Sequence, residues 1–143
     1  MTYPEAAVRA AIAARFVALR LDLFADRAVV RPLNVIWTPT LLFADRRGTI
    51  HYRSLNFLPP ADFLDLIDIG EANVLLRWAT YDRAIDLLAS VTDRNPNGPL
   101  APEAIYHRGI ATYLKTRSNP ALYAVWSELR ERFPDSIWAR RIP

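Results

Sequence analysis

Cysteine is absent from this chain of 143 residues. That excludes disulfides, thiolate nucleophiles and cysteine-ligated zinc. It also leaves the redox character of the compartment undecided, because nothing remains to oxidise. Histidine is nearly absent: His51 and His107 are the two present. Far apart in sequence and without cysteine partners, they make a poor metal site, so no metal or other cofactor is expected. The four glycines form no Gly-rich phosphate loop. Lysine is reduced to Lys115, so 17 of the 18 basic residues are arginines. No apolar run approaches the ~20 residues that cross a bilayer. The N-terminus, Met1-Thr2-Tyr3-Pro4-Glu5, lacks the basic start and apolar core of a secretory signal. The expectation is a soluble, cytoplasmic chain with no membrane partner.

Hydrophobic residues make up 52% of the sequence, which argues against disorder. A chain of this length forms one ordinary domain or two small ones. It buries roughly 70% of its unfolded surface without needing staples. The net charge of +3 and the arginine excess invite a nucleic-acid reading, since arginine suits phosphates. Such binding needs clustered charge, and the longest basic runs are the pairs Arg46-Arg47 and Arg140-Arg141. A GC-rich coding genome produces the same bias, so nucleic acid is disfavoured as a partner. Ser54, Ser90, Ser118, Ser127 and Ser136 lack any nucleophile-elbow context. Asp26-Arg27, Asp45-Arg46, Asp82-Arg83 and Asp93-Arg94 read as surface or turn pairs. No catalytic residue is expected.

Pro4 to Arg15 is alanine-rich, with Val8, Ala11 and Ile12 at helical spacing. Pro4 suits the first turn and Glu5 the positive end of the helix dipole. Phe16 to Leu23 reads as a mostly buried strand. Ala25 to Leu33 reads as a short helix ended by Pro32. Trp37-Thr38-Pro39 opens a hairpin: Thr40 to Asp45, a turn at Arg46-Arg47-Gly48, and an alternating run from Thr49 to Ser54. A proline at this point belongs at a strand's start, an edge or a bulge. A further helix begins at Leu58-Pro59-Pro60. Its Phe63, Leu64 and Ile67 form the apolar side, and Asp62, Asp65 and Asp68 are expected on a solvated face.

Pro39-Thr40 followed by apolar residues and Phe43, then Asp and Gly, an alternating strand and a helix, resembles the second half of a thioredoxin domain. Tyr3 to Val17 is similar to that family's first helix and following strand. The resemblance implies a cis Thr38–Pro39 bond, and a segment whose backbone pairs with an extended peptide. It also implies that the chain begins inside the first helix, without the family's first strand and Cys-x-x-Cys turn. That strand would lie between Phe16–Leu23 and Thr40–Asp45. The gap must be closed by direct pairing of those strands, by a strand from another chain, or by a true start lying upstream of Met1, since an open apolar edge is a template for pairing.

Turn-forming Gly70 is taken as the boundary between residues 1–69, an incomplete thioredoxin-like α/β part, and residues 70–143, an all-α part. In the second part Tyr81, Ala84, Leu88 and Pro96 are similar to the second helix of a tetratricopeptide repeat. Ala104, Ile105, Gly109, Ile110 and Tyr113 fit a following first helix, and Leu122, Trp126, Leu129 and Pro134 a second. Pro96 and Pro134 are 38 positions apart, against a repeat of about 34. Ser136 to Arg141 reads as a short terminal cap.

The expected function is a non-catalytic interaction module for a peptide or protein. Trp37, Thr38 and Pro39 are its candidate groups on the sheet side, with Arg77, Tyr106 and Tyr113 on the helical side. Aromatic residues anchor interfaces but also fill helical cores, so Trp78, Tyr81, Tyr106, Tyr113, Tyr123, Trp126 and Trp138 carry both readings. Arg77 and Arg108 at the rim would clamp acidic groups. A homodimer is one way to fill the incomplete sheet. The rival reading is a thiol–disulfide oxidoreductase whose cysteine-bearing N-terminal segment is missing from this sequence.

Overall fold

The computed structural model describes residues 5–55 and 57–143. The expected role of Pro4 therefore lies outside the described residues. These residues form six α-helices and a two-stranded antiparallel sheet. The chain divides into two compact units, Met1–Leu64 and Asp65–Pro143.

In the first unit, α1 (Ala6–Arg15) ends where the Phe16 N–H donates to the Ile12 carbonyl. Phe16 to Leu23 is not a strand, contrary to the sequence pattern. Val17 and Leu19 are exposed rather than buried. The Asp22 carboxylate accepts the N–H groups of Phe24 and Ala25 at 2.9 and 2.8 Å, turning the chain instead of extending it. Those hydrogen bonds, Ala25 first, also hold the Asp22 pKa below its usual value. A strand exists only by pairing, and the sheet of the described residues consists of β1 and β2 alone. The expected direct pairing of Phe16–Leu23 with β1 is thus absent among the described residues. The short helix is present as α2 (Arg27–Val30), continued by a 3₁₀ turn over Arg31–Leu33 that runs through Pro32. It ends at Asn34, whose φ of 52° is left-handed.

The hairpin pairs β1 (Thr40–Ala44) with β2 (Ile50–Leu55), Leu42 opposite Arg53 and Phe43 opposite Tyr52, with an irregularity at Phe43/Ala44. Asp45 organises its turn: one carboxylate oxygen accepts the N–H groups of Arg47 and Thr49, the other meets His51 Nε2 at 2.9 Å. Gly48 has φ +81°, which a side chain tolerates poorly. Directly opposed residues share a face. On one face Phe43 lies edge-on to Phe16, centroids 5.6 Å apart, and 5.9 Å from Tyr52. On the other, the Arg53 guanidinium holds the carbonyls of Leu33 and Asn34.

Helix α3 (Pro60–Arg77) crosses the division between the units. It runs without interruption through Gly70, so the turn expected there is absent. A glycine inside a helix costs about 1 kcal/mol, while burial of one Leu or Ile contributes about 1.5–3 kcal/mol. Leu66, Ile67 and Ile69 are all buried, and their burial outweighs the glycine.

The second unit is helical: α4 (Tyr81–Arg94), α5 (Ala101–Thr116) and α6 (Asn119–Arg132), then a 3₁₀ turn at Ala139–Arg141 where the cap was expected. Ala84, Leu88 and Val91 form a buried stripe on α4 at helical spacing. Pro102 and Pro120 stand in the first turns of α5 and α6, where no N–H is needed. Ser118 caps α6 by accepting the Ala121 N–H. α5 packs against both α4 and α6. Ile105, Trp126, Leu129, Ala139 and Ile142 form a core cluster, with Tyr106, Leu122, Phe133 and Trp138 packed on it.

Candidate functional site

The sheet-side candidates sit where the chain enters β1. The Thr38–Pro39 bond is cis. The Trp37 carbonyl accepts the Thr40 hydroxyl at 2.6 Å, which fixes the entry turn. Thr38 is exposed and Pro39 half-buried. Ile36 and Trp37 stand 86% and 66% exposed, large values for side chains of this size. In a two-stranded sheet each strand pairs on one side only, so alternate residues of β1 turn their N–H and C=O groups away from β2. The edge is five residues long, about 17 Å at the usual rise. It has exposed apolar groups at its start and Arg46-Arg47 at its end. Val17, Leu19, Phe24 and Val29 of the same unit are also exposed. Such an edge accepts an extended segment through backbone hydrogen bonds.

The helical-side candidates fare differently. Arg77 is the exposed last residue of α3. Tyr106 and Tyr113 lie two turns apart on α5, on one side of it. Tyr113 is half-buried. Tyr106 is a packing residue: its ring stacks on Trp126 at 5.2 Å and 13°, and meets Trp138 at 5.2 Å. Its carbonyl accepts the Trp126 indole N–H at 3.1 Å. Arg108, expected to clamp a partner, pairs with Glu128 of its own chain. Lys115 likewise pairs with Asp82.

Sequence reasoning misread one cluster. Asp65 and Asp68 do not face solvent: they are 0% and 3% exposed. Arg94 at the end of α4 bridges them, with Nε 2.9 Å from Asp65 and a terminal nitrogen 2.6 Å from Asp68. Ser90 donates to Asp68 at 3.1 Å, and the Asn95 amide reaches Asp65. Burial alone would lower the Arg94 pKa, but its hydrogen bonds to Asp68 and Asp65, and their charge, raise it on balance. This is a clamp between α3 and α4. Phe63, Leu66, Ile67, Ile69 and Ala72 are spread round α3 and are all buried, so the carboxylates between them are buried with them.

The two histidines have separate roles. His51 bonds Asp45, and this hydrogen bond, ahead of the backbone ones and against partial burial, holds the Asp45 pKa down. His107 lies against Tyr106 and Trp138, centroids 5.9 and 5.4 Å away, with Glu103 at 3.9 Å. Burial, and then the charge of Arg141, push it down to about 4. Among the described residues no group of His, Asp and Glu has the arrangement of a metal site, and no helix is long and apolar enough to cross a membrane. The chain matches no known protein family, and it has no significant similarity to a curated protein or to a solved structure.

Proposed function

We propose that this chain is a non-catalytic, thioredoxin-like interaction module joined to tetratricopeptide-like helical hairpins, and that it binds a peptide or protein partner by strand addition along β1. The observation that carries the reading is the outer edge of β1, which no strand among the described residues pairs, entered through the exposed Ile36 and Trp37. A second support is the composition: electron exchange through sulfur needs a thiolate, and the chain has no cysteine. The partner's backbone supplies the affinity and its alternate side chains the specificity.

The test is selection of binding peptides from a random library on the full chain, followed by hydrogen exchange of the complex. The expected result is protection of the amides of β1 and loss of binding in Leu42→Pro, which removes one edge donor. Wild-type-like circular dichroism of that variant shows that its fold survives. Trp37→Ala is expected to weaken binding about tenfold, the scale of an interface anchor. Peptides that protect only the helices of residues 101–132, or recovery of no peptide at all, would overturn the reading.

A further inference from the structure

The two units differ in how much of their apolar surface is covered. Among the described residues, three buried apolar side chains belong to residues 1–64, namely Val8, Val30 and Phe63, and fifteen to residues 65–143. The exposed ones divide the other way: eight large apolar side chains stand open in residues 1–64, against three in residues 65–143. At roughly 60–200 Å² for a side chain of this kind, eight of them leave on the order of 1,000 Å² of apolar surface in water. A stable interface takes about 800 Å² from each partner. Four of the eight flank β1. Ile36 and Trp37 lead into it, and Val17 and Leu19 follow Phe16, whose ring lies against Phe43.

The sheet has two outer edges, and they are not alike. β2 carries His51 and Arg53, and His51 is the extra residue where the register with β1 breaks between Phe43 and Ala44. Charge and a bulge are devices that keep a solvated edge from pairing. β1 has neither: Thr40-Leu41-Leu42-Phe43-Ala44 contains no charge and no proline, and the irregularity adds no residue to it. We infer that the strand accepted by β1 is β1 of a second copy, antiparallel about a two-fold axis at Leu42, which joins the two hairpins into one four-stranded sheet. This rests on the proposed strand addition and names the partner. Centring on Leu42 is the register that pairs all five residues of the strand. It sets Leu41 opposite Phe43 of the second copy and Thr40 opposite its Ala44, so no charge meets like charge along the seam although each chain carries +3. The same patch serves both copies, and the contact closes at two.

Sedimentation velocity of the full chain from about 1 to about 300 μM reads the association. The mass is expected to rise from the 16.3 kDa of one chain towards twice that, with slower exchange of the β1 amides in the concentrated sample. The lack of cysteine makes a register test clean. Opposed residues of an antiparallel pair have Cα atoms about 4.5–5.5 Å apart, within reach of a disulfide. Residue 42 then faces its own counterpart, whereas residue 44 stands roughly 14 Å from its counterpart, four strand positions away. Leu42→Cys is therefore expected to form linked dimers in oxidised glutathione at least about tenfold faster than Ala44→Cys, although Ala44 is the more exposed position. The wild-type mass and exchange decide the matter even if a variant misfolds. The mass of one chain at every concentration overturns self-pairing; library peptides that then protect the β1 amides leave strand addition standing, and failure of both removes both. A dimer whose slowed amides lie only in residues 81–132 overturns self-pairing in favour of a helical interface. Equal linking of the two folded cysteine variants overturns the axis at Leu42 and the pairing with it. A selected peptide that protects β1 without dissociating the dimer overturns it too, because one edge cannot hold both.

Discussion

Gly109 and Trp126 pack so closely that a methyl group on Gly109 would lie 2.5 Å from the indole nitrogen and 2.6 Å from its neighbouring ring carbon. The indole is not free to retreat: it donates to the Tyr106 carbonyl and stacks on the Tyr106 ring. Gly109→Ala gains helix propensity of about 1 kcal/mol but overpacks the α5–α6 contact by more. The expected net loss is about 1–3 kcal/mol, measured by urea denaturation. Adding Trp126→Leu should recover part of the loss. A double-mutant cycle with no coupling between the sites would disprove the account.

Gly48 offers the opposite case. Nothing lies within 4 Å of a Cβ built there, yet its φ is +81°. Gly48→Ala should cost about 1–2 kcal/mol through backbone conformation alone, and Gly48→Asn less. The hydrogen-exchange protection of the hairpin amides reads the difference. Equal stability of the Ala variant and wild type would contradict it.

Removing Arg94 leaves Asp65 and Asp68 buried without their cation. Arg94→Met should cost about 2–4 kcal/mol, below the usual figure for a fully buried pair because the guanidinium side is 39% exposed. Replacing all three charged groups together, with Asp65→Leu and Asp68→Leu added, should restore most of that loss. If the single substitution proves neutral in thermal and chemical denaturation, the clamp contributes nothing.

His107 sets a pH dependence. Its folded pKa is about 4 against an ordinary 6.5, so between those values the unfolded chain binds more protons than the folded one. Stability is full above about pH 6.5 and falls as pH drops towards 4, by up to roughly 3 kcal/mol. His107→Phe keeps a ring against Tyr106 and Trp138 and should flatten the slope in that window. Parallel stability–pH curves for the two proteins would rule this out.

Local chemistry was legible along the chain wherever one residue type decides the outcome. Gly48 after Asp45 announced the hairpin turn. The apolar spacing of Ala84 and Leu88 announced the buried side of α4. What misled was pattern without partner. Phe16 to Leu23 has a strand's composition, but strand formation is a property of pairs, and among the described residues β1 pairs with β2 only. Gly70 looked like a stop because the buried residues on both sides of it were read separately. Asp65 and Asp68 looked solvated because Arg94, their counter-charge, lies on another helix. Of the candidate site, the Trp37–Pro39 entry was visible from its own residues. The inward role of Tyr106 was not, because it depends on Trp126 and Trp138 in the following elements.

The indoles are distributed so that they report separately. Of four tryptophans, Trp37 alone belongs to residues 1–64, and it is open to water, whereas Trp126 is 7% exposed and Trp138 lies under the Arg141 guanidinium. Trp78→Phe would remove the other exposed indole. Iodide-quenchable, red-shifted emission would then come from Trp37, an intrinsic optical probe at the mouth of β1.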